Sequence, residues 1–487
     1  MANRVYVFGI GGTGSRVIRS LTMMLASGVK LPDVEKVIPI IIDLDIKNED
    51  TNRTIKGLDY YEEIRETAYG KGAVVKDGFF ATDLAKLSSL RTNDTVGSVK
   101  ESFQFDFGGI DSEFGDYMNV HGMDSINQDL MRLLYDDSPT TDPNTELRLQ
   151  LSKGFKGNPN IGSVVFTQLK DSPEYKFFES SFREGDRIFV VSSIFGGTGS
   201  SGFPQLLKIL RRSNNNNINQ AKIGAVTVMP YFSVAQDSNS AIDSNRFISK
   251  TKAALSYYSN EMENLSSMYY VYDQPGGNPY DNNEGGEDQK NDAHLVEVLA
   301  ASAVVHFAQQ QDHSFGTNTD YYEFGIRKNE AVLDFRHFFD YSRETIAMPL
   351  IQFTFFSKLY LQEIPKYIND ALGKRLNLDS KFKQDTYYTN IRHFLEDHYL
   401  QWLGELGRNR RGFNPFNLDA PKFKDLLVGV DIKTGLLQSD ILDMSEIFKI
   451  EKSLENDYRK EETRFMLTLH KWVTTMCDDK IKSLPTA

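Results

Sequence analysis

Twice in this chain a short apolar run breaks at a glycine-rich turn and resumes as a helix, and no other feature restricts the fold as much. Residues 186–204 read DRIFVVSSIFGGTGSSGFP. Ile188-Phe189-Val190-Val191 predicts a buried strand that stops at Gly196-Gly197-Thr198-Gly199-Ser200-Ser201-Gly202. After Pro204, the spacing of Leu206, Leu207, Ile209 and Leu210 predicts a helix. The N-terminal stretch repeats the plan. Arg4 to Phe8 runs into Gly9-Ile10-Gly11-Gly12-Thr13-Gly14-Ser15, and Val17, Ile18, Leu21 and Leu25 then share one helical side. Gly9, Gly11 and Gly14 satisfy G-x-G-x-x-G in the strand-to-helix setting that this spacing requires. A loop of this kind aims backbone N–H groups and a helix dipole at one place, which suits a phosphate. A plain tight turn would use the same glycines, so the argument rests on the loops together.

Further strands are predicted at Val37–Ile42, Lys222–Pro230 and Met268–Tyr272, with a helix at Arg246–Met262. Asp43 and Asp45 follow the second strand directly, where residues of a parallel sheet face the ligand crevice. They can accept bonds from a ribose, hold magnesium through water, or simply begin a solvated loop. A third glycine loop, Lys153 to Gly162, contains Gly157 and Asn158. The polar stretch 276–292 reads as surface loop, and 293–307 is apolar nearly all round, as a buried helix is. Strands alternating with helices, without repeats, predict a doubly wound, mostly parallel α/β sheet. Residues from about 46 to 150 read as an insertion. Beyond 312 the pattern turns mainly helical, apart from a strand-like piece at Tyr321–Ile326. The expected division is therefore 1–311 for the α/β domain and 312–487 for a helical C-terminal domain.

Composition removes several classes of function. A net charge of −12 argues against a nucleic-acid binder. Cys477 is the single cysteine, so no disulfide framework or cysteine zinc site is available. No apolar run reaches the roughly 20 residues that span a bilayer, and MANRVYVFGIGG enters a strand with no secretory pattern. A cytoplasmic protein with no membrane partner is expected. G-x-x-x-x-G-K-[ST] is absent, which excludes the P-loop class.

Taken in order, the loops resemble those of the tubulin and FtsZ superfamily. Phe195 to Gly202 is similar to the signature GGGTGSG, with Phe195 for the first glycine and one extra serine. Gly9 to Ser15 resembles GVGGGG of FtsZ, Ile42-Asp43-Leu44-Asp45 resembles VDLE of tubulin, and Gly157 to Gly162 resembles ANPEVG of FtsZ. Ala225 to Tyr231 is similar to VVTKPF, and 293–307 takes the place of the central helix. The resemblance is nearest to divergent bacterial tubulin-like proteins that open with GxGGTGS.

This resemblance implies GTP or GDP bound with magnesium. Gly11, Gly12, Thr13, Gly14, Ser15, Gly157, Asn158, Gly196, Gly197, Thr198, Gly199 and Ser200 would lie around the phosphates. Asp43 and Asp45 would serve the metal, and Asp243 the ribose. It also implies a head-to-tail homopolymer in which an acid of one subunit completes its neighbour's site. Val332-Leu333-Asp334-Phe335 is the nearest match to that acidic loop, with Asp334 as its acid and His337 where a second would stand. The helical C-terminal part would meet other proteins. Two other readings share fewer features: GIGGTGS followed by DLDIKNEDTNR resembles ThiF-like adenylating enzymes, and the first glycine motif suits a nicotinamide-dependent oxidoreductase. A nucleotide-dependent scaffold without hydrolysis is a further possibility. Glu297 or Asn291 would face the base.

Overall fold

The computed structural model describes residues 3–45, 47–91, 99–105, 107, 108, 110–135, 145–235, 247–261, 265–273, 286, 287, 289–325, 332–368, 370, 373, 378, 382, 384–409, 411–430, 432 and 444–481. Six parallel strands form the main sheet in the order β2-β1-β3-β4-β5-β6. They are β1 (Asn3–Ile10), β2 (Val34–Ile42), β3 (Arg187–Ser193), β4 (Lys222–Val228), β5 (Ser267–Tyr272) and β6 (Asp320–Gly325). In β3 the side chains of Ile188, Phe189, Val190 and Val191 are fully buried. This is why the strand reads as a continuous apolar run and not as an alternation. Burying side chains of that size contributes about 1.5–3 kcal/mol each.

Helices cover both faces. Helices α1 (Gly11–Ala26) and α2 (Glu49–Tyr69) pack with each other on one side. Helix α3 (Gly197–Arg211) packs on the opposite side, near the Pro173–Ser181 helix whose Phe178 meets Tyr6 and Phe8. Helix α4 (Phe247–Glu261) leads into β5, and α5 (Leu295–Gln309) is the expected buried helix, with Phe307 against Phe189. β2 lies on one side of β1 and β3 on the other. The connections leaving β1 and β3 therefore diverge, and a crevice opens at the carboxyl ends of these two strands.

Two parts of the chain do more than their sequence suggested. Residues 46–150 supply α2, and they also close the open edge of β2. Val37 N donates to Asp83 O at 2.8 Å, and Ile41 N donates to Phe103 O at 2.7 Å. The sheet also continues past residue 311, because β6 pairs with β5 in parallel register from Ser267↔Asp320 to Tyr272↔Gly325.

The later residues build a third layer over α1 and α2. It includes α6 (Met348–Lys358), α7 (Gln401–Arg408) and α8 (Glu461–Lys480). Trp402 is fully buried there and donates to Ser20 Oγ at 3.2 Å. A short parallel pair, β7 (Val332–Leu333) with β8 (Gly412–Phe413), ties the start of this region to the end of α7. Among the described residues, no helix is long and apolar enough to cross a membrane.

Candidate functional site

Both glycine loops open into one cleft of about 180 Å³ at the divergence of β1 and β3. Helix α1 starts after Ile10 and α3 after Gly196, and neither N-terminus has a side-chain cap. Their first-turn N–H groups are thus left to whatever enters the cleft. The two ends nearly touch: a Cβ on Gly11 would stand 3.2 Å from Thr198 Cβ. Gly11 also has φ +69°, which favours glycine. The third loop lies on top, where a Cβ on Gly197 would come within 2.8 Å of Gly157 N.

The predicted residues separate into two groups. Gly11, Gly12, Thr13, Asp43, Asp45, Gly157, Gly196, Gly197, Thr198 and Gly199 line the cleft. Gly14, Ser15, Asn158 and Ser200 do not. Gly14 lets α1 sit on β1, since a Cβ there would be 2.5 Å from Gly9 C. Ser15 is fully buried, and the Ser200 hydroxyl turns back to Gly196 O. Asn158 precedes the short Pro159–Val165 helix. Asp243 lies outside the described residues.

Asp43 and Asp45 form the acidic wall. Both are buried, and their hydrogen-bond partners are backbone amides: Asp45 N meets Asp43 Oδ1 at 3.4 Å, and Gly286 N meets Asp45 Oδ2 at 2.6 Å. Burial, helped by the neighbouring Asp45, pushes the Asp43 carboxyl up from 3.8 to about 7.

Sequence reasoning missed the cations. Arg16 lines the cleft and is buried, held by Glu297 Oε1 at 2.6 Å, Tyr231 Oη at 2.6 Å and Asp50 Oδ2 at 3.1 Å. Its position two residues past the glycine motif was the available signal. Glu297 is committed to this cluster, so it does not line the cleft as the base-facing reading required. Asn291 does line it, while its Nδ2 donates to Asp50 at 2.9 Å. The ionic cluster extends outward. Arg53 pairs with Asp50 at 2.5 Å and with Glu405 of α7 at 2.8 Å, and Arg19 pairs with Glu405 at 2.6 Å. Lys153, Lys156 and Lys250 line the other wall, beside Phe195, Phe232 and Phe247. Phe195 and Phe247 have ring centroids 4.9 Å apart.

Asp334 is bound within its own segment. Its carboxylate caps the Phe335–His337 turn and is forked by Arg336, which holds it below the usual carboxylate range despite burial. Leu333 O accepts from Asn414 N at 2.8 Å, and nearby Arg411 pairs with Asp273, just past the carboxyl end of β5. The Asp334 segment therefore lies toward the carboxyl end of β5. At the other end of the sheet α5 finishes and Asp312 follows, two-thirds exposed and 2.7 Å from Arg187 at the start of β3.

Cys477 is buried, and burial pushes its thiol up, so it offers no nucleophile for the adenylating-enzyme reading.

A doubly wound α/β protein with a glycine-lined cleft at its switch point is thus defined. Residues 166–354, which run from before β3 into α6, match the protein-family model described as "Tubulin like". Over that segment the chain is similar to tubulin-like proteins. A search of curated proteins finds no match. Among solved structures, CetZ from Methanosaeta thermophila strain DSM 6194 is similar at 14% identity, over 65% of this chain and 56% of that one, with TM-score 0.32. GDP-bound monomeric CetZ1 from Haloferax volcanii gives 14%, 64%, 62% and 0.31. The empty FtsZ dimer of M. jannaschii gives 14%, 56%, 46% and 0.26. The chain thus spans less than two thirds of each of these structures.

Proposed function

We propose that the cleft binds a guanine nucleotide with magnesium, and that copies of this chain stack head to tail in the cytoplasm. One observation carries the reading: two uncapped helix N-termini converge on a single cleft whose wall holds two buried carboxylates. The cradle fits phosphates, because side chains at Gly11 or Gly197 would fill it. The choice of guanine follows the resemblance of the loops and the tubulin-like match.

Amides of residues 11–13 and 197–199 would hold phosphate oxygens, and Arg16 would add fixed charge. Asp43 and Asp45 would hold magnesium. No group of three or more acidic, His or Cys side chains suited to a metal occurs among the described residues, so phosphates and water would complete its coordination. Bound nucleotide would supply the phosphoanhydride bond. Asp312 of one copy would orient water at the cleft of the next. The helical third layer would be the surface for other proteins.

Calorimetry with GTP, ATP and NAD in parallel tests the binding. GTP is expected to bind with magnesium dependence, and tighter NAD binding would overturn the reading. Sedimentation and phosphate release over a protein concentration series test the assembly. A turnover per subunit that rises with concentration, with polymer in the pellet, supports it. Polymer without turnover would leave a nucleotide-dependent scaffold.

A further inference from the structure

The main sheet ends at β6, and no strand among the described residues continues it. Asp320 N opens the pairing with β5 by donating to Ser266 O at 3.1 Å. In a parallel pair every second residue bonds the same neighbour. The N–H and C=O groups of Tyr321 and Glu323 therefore point away from β5, as those of an open sheet edge do. Lysine, proline or a bulge usually guards such an edge. β6 reads DYYEFG and keeps an unbroken register on β5, so it has none of the three. Its two faces differ. Tyr322 faces α5, stacked on Tyr269 with ring centroids 4.7 Å apart and edge-on to His306. Tyr321 and Glu323 share the other face with Tyr270 and Tyr272, because register partners point the same way. That face is open: Tyr321 is 65% exposed, Tyr272 49%, and Glu323 is exposed as well. The rings of Tyr321 and Tyr270 lie nearly parallel, 11° apart. The edge thus combines outward backbone groups, a tyrosine shelf and a carboxylate.

We infer that β6 takes up an extended basic segment of another protein as a further strand, with Arg or Lys at alternate positions over Tyr321 and Glu323. The backbone of the guest would complete the outward hydrogen bonds, as in other cases of strand addition. Its cations would lie on the tyrosine shelf, where the face of a ring attracts them, and would reach the Glu323 carboxylate. Arginine suits both partners, since its planar group stacks on rings and forks a carboxylate. Charge selects this guest over a second copy of the chain. If Tyr321 were set against Glu323 of an antiparallel twin, the two Glu323 carboxylates would stand diagonally, about 7–8 Å apart on one face. Each of those molecules would also carry a net charge of −12.

The probe is a labelled peptide of alternating arginine and valine, with an alternating glutamate and valine peptide as its control. Binding to the full chain is followed by fluorescence anisotropy, and hydrogen exchange is read at single-residue resolution. The arginine peptide should bind and slow exchange at the amides of Tyr321 and Glu323. Those of Asp320 and Tyr322, already turned to β5, should change little. Tyr321→Pro removes only an outward N–H, a substitution that edge strands tolerate. It should lower affinity roughly five- to tenfold, the range of one backbone hydrogen bond, with the melting temperature unchanged. Glu323→Lys, at an exposed position, sets cation against cation and should lower affinity roughly tenfold or more, which decides the matter even if the proline variant folds poorly. Equal binding of the two peptides, no binding of either, slowed exchange only away from β6, or full affinity in both variants would each overturn the inference. Slowed exchange at Tyr321 and Glu323 as protein concentration rises, without peptide, would make a second copy the guest and overturn the basic segment.

Discussion

Glycine 12 allows the cradle to be blocked without disturbing the fold. Its neighbours are packing glycines: a Cβ on Gly14 would meet Gly9 C at 2.5 Å, and one on Gly199 would meet Ser193 O at 2.6 Å. Backbone cannot retreat from such contacts, so Ala at either position should damage the fold. Even Gly197 is unsuitable, because a side chain there would push against Gly157 N at 2.8 Å. At Gly12 the nearest atom is Asn48 Nδ2 at 3.6 Å, an ordinary contact, and the backbone has no positive φ. Gly12→Ala should therefore leave stability unchanged or raise it by about 0.4–1 kcal/mol, through reduced freedom of the unfolded chain. The new methyl would project into the cleft beside the α1 amides and would cost one phosphate contact. A hydrogen bond to a charged group contributes about 1.5–3 kcal/mol, so nucleotide affinity should fall roughly ten- to a hundredfold. Thermal melting and calorimetry on the same preparation decide it. Unchanged affinity in a normally stable Gly12→Ala protein would refute the placement of the first loop at the phosphates.

Asp43→Asn tests the acidic wall through pH. The folded protein holds the Asp43 proton up to about 7 instead of 3.8, so the ionised side chain costs stability increasingly as pH rises between those values. The nucleotide-free variant should match wild type at low pH and exceed it above neutrality. At about 1.4 kcal/mol for each tenfold change in proton affinity the gain is at most roughly 4 kcal/mol, and a difference that stays flat across pH would count against the buried carboxyl. Magnesium should also lose its effect on nucleotide affinity in this variant, as titrations with and without the metal would show. Asp312→Asn should retain nucleotide binding and polymer while the concentration-dependent phosphate release disappears; full release in the variant would clear Asp312 of the role. Glu405→Gln leaves Arg19 and Arg53 without a charged partner at α7, which should cost about 3–5 kcal/mol in a urea titration. An unchanged midpoint would show that the pairs are not stabilising.

What could be read from the sequence was what repeats locally. Strands buried on both faces appear as apolar runs, and the glycine turns that end β1 and β3 carry their own spacing. The convergence of Gly11 with Thr198 could be inferred because parallel α/β topology brings such loops together. Charge partners were not legible. Arg16 belongs with Glu297, and Lys250 with Gly157, across separations that no periodicity encodes. The position of Asp334 was not legible for the same reason: a four-residue likeness says nothing about which end of the sheet the segment occupies. The strand β6 was visible as a strand, but its hydrogen-bonding to β5 was not.

Arg19 and Glu405 share a bond across 386 positions of chain, and this has a consequence for synthesis. When β1, α1 and α2 have left the ribosome, the surface that α6, α7 and α8 will cover is still open, with Ser20 waiting for Trp402. The amino-terminal half must be held in that state for most of the time needed to translate the molecule. At about 5–20 residues per second, the wait is on the order of half a minute. Nascent chains stalled before residue 348 are thus expected to bind a hydrophobic dye such as ANS and to be captured by general chaperones. Chains stalled after 481 has emerged should lose both properties. Chaperone dependence would then be set by the order of the chain, and a circular permutant that synthesises the third layer first should need less help.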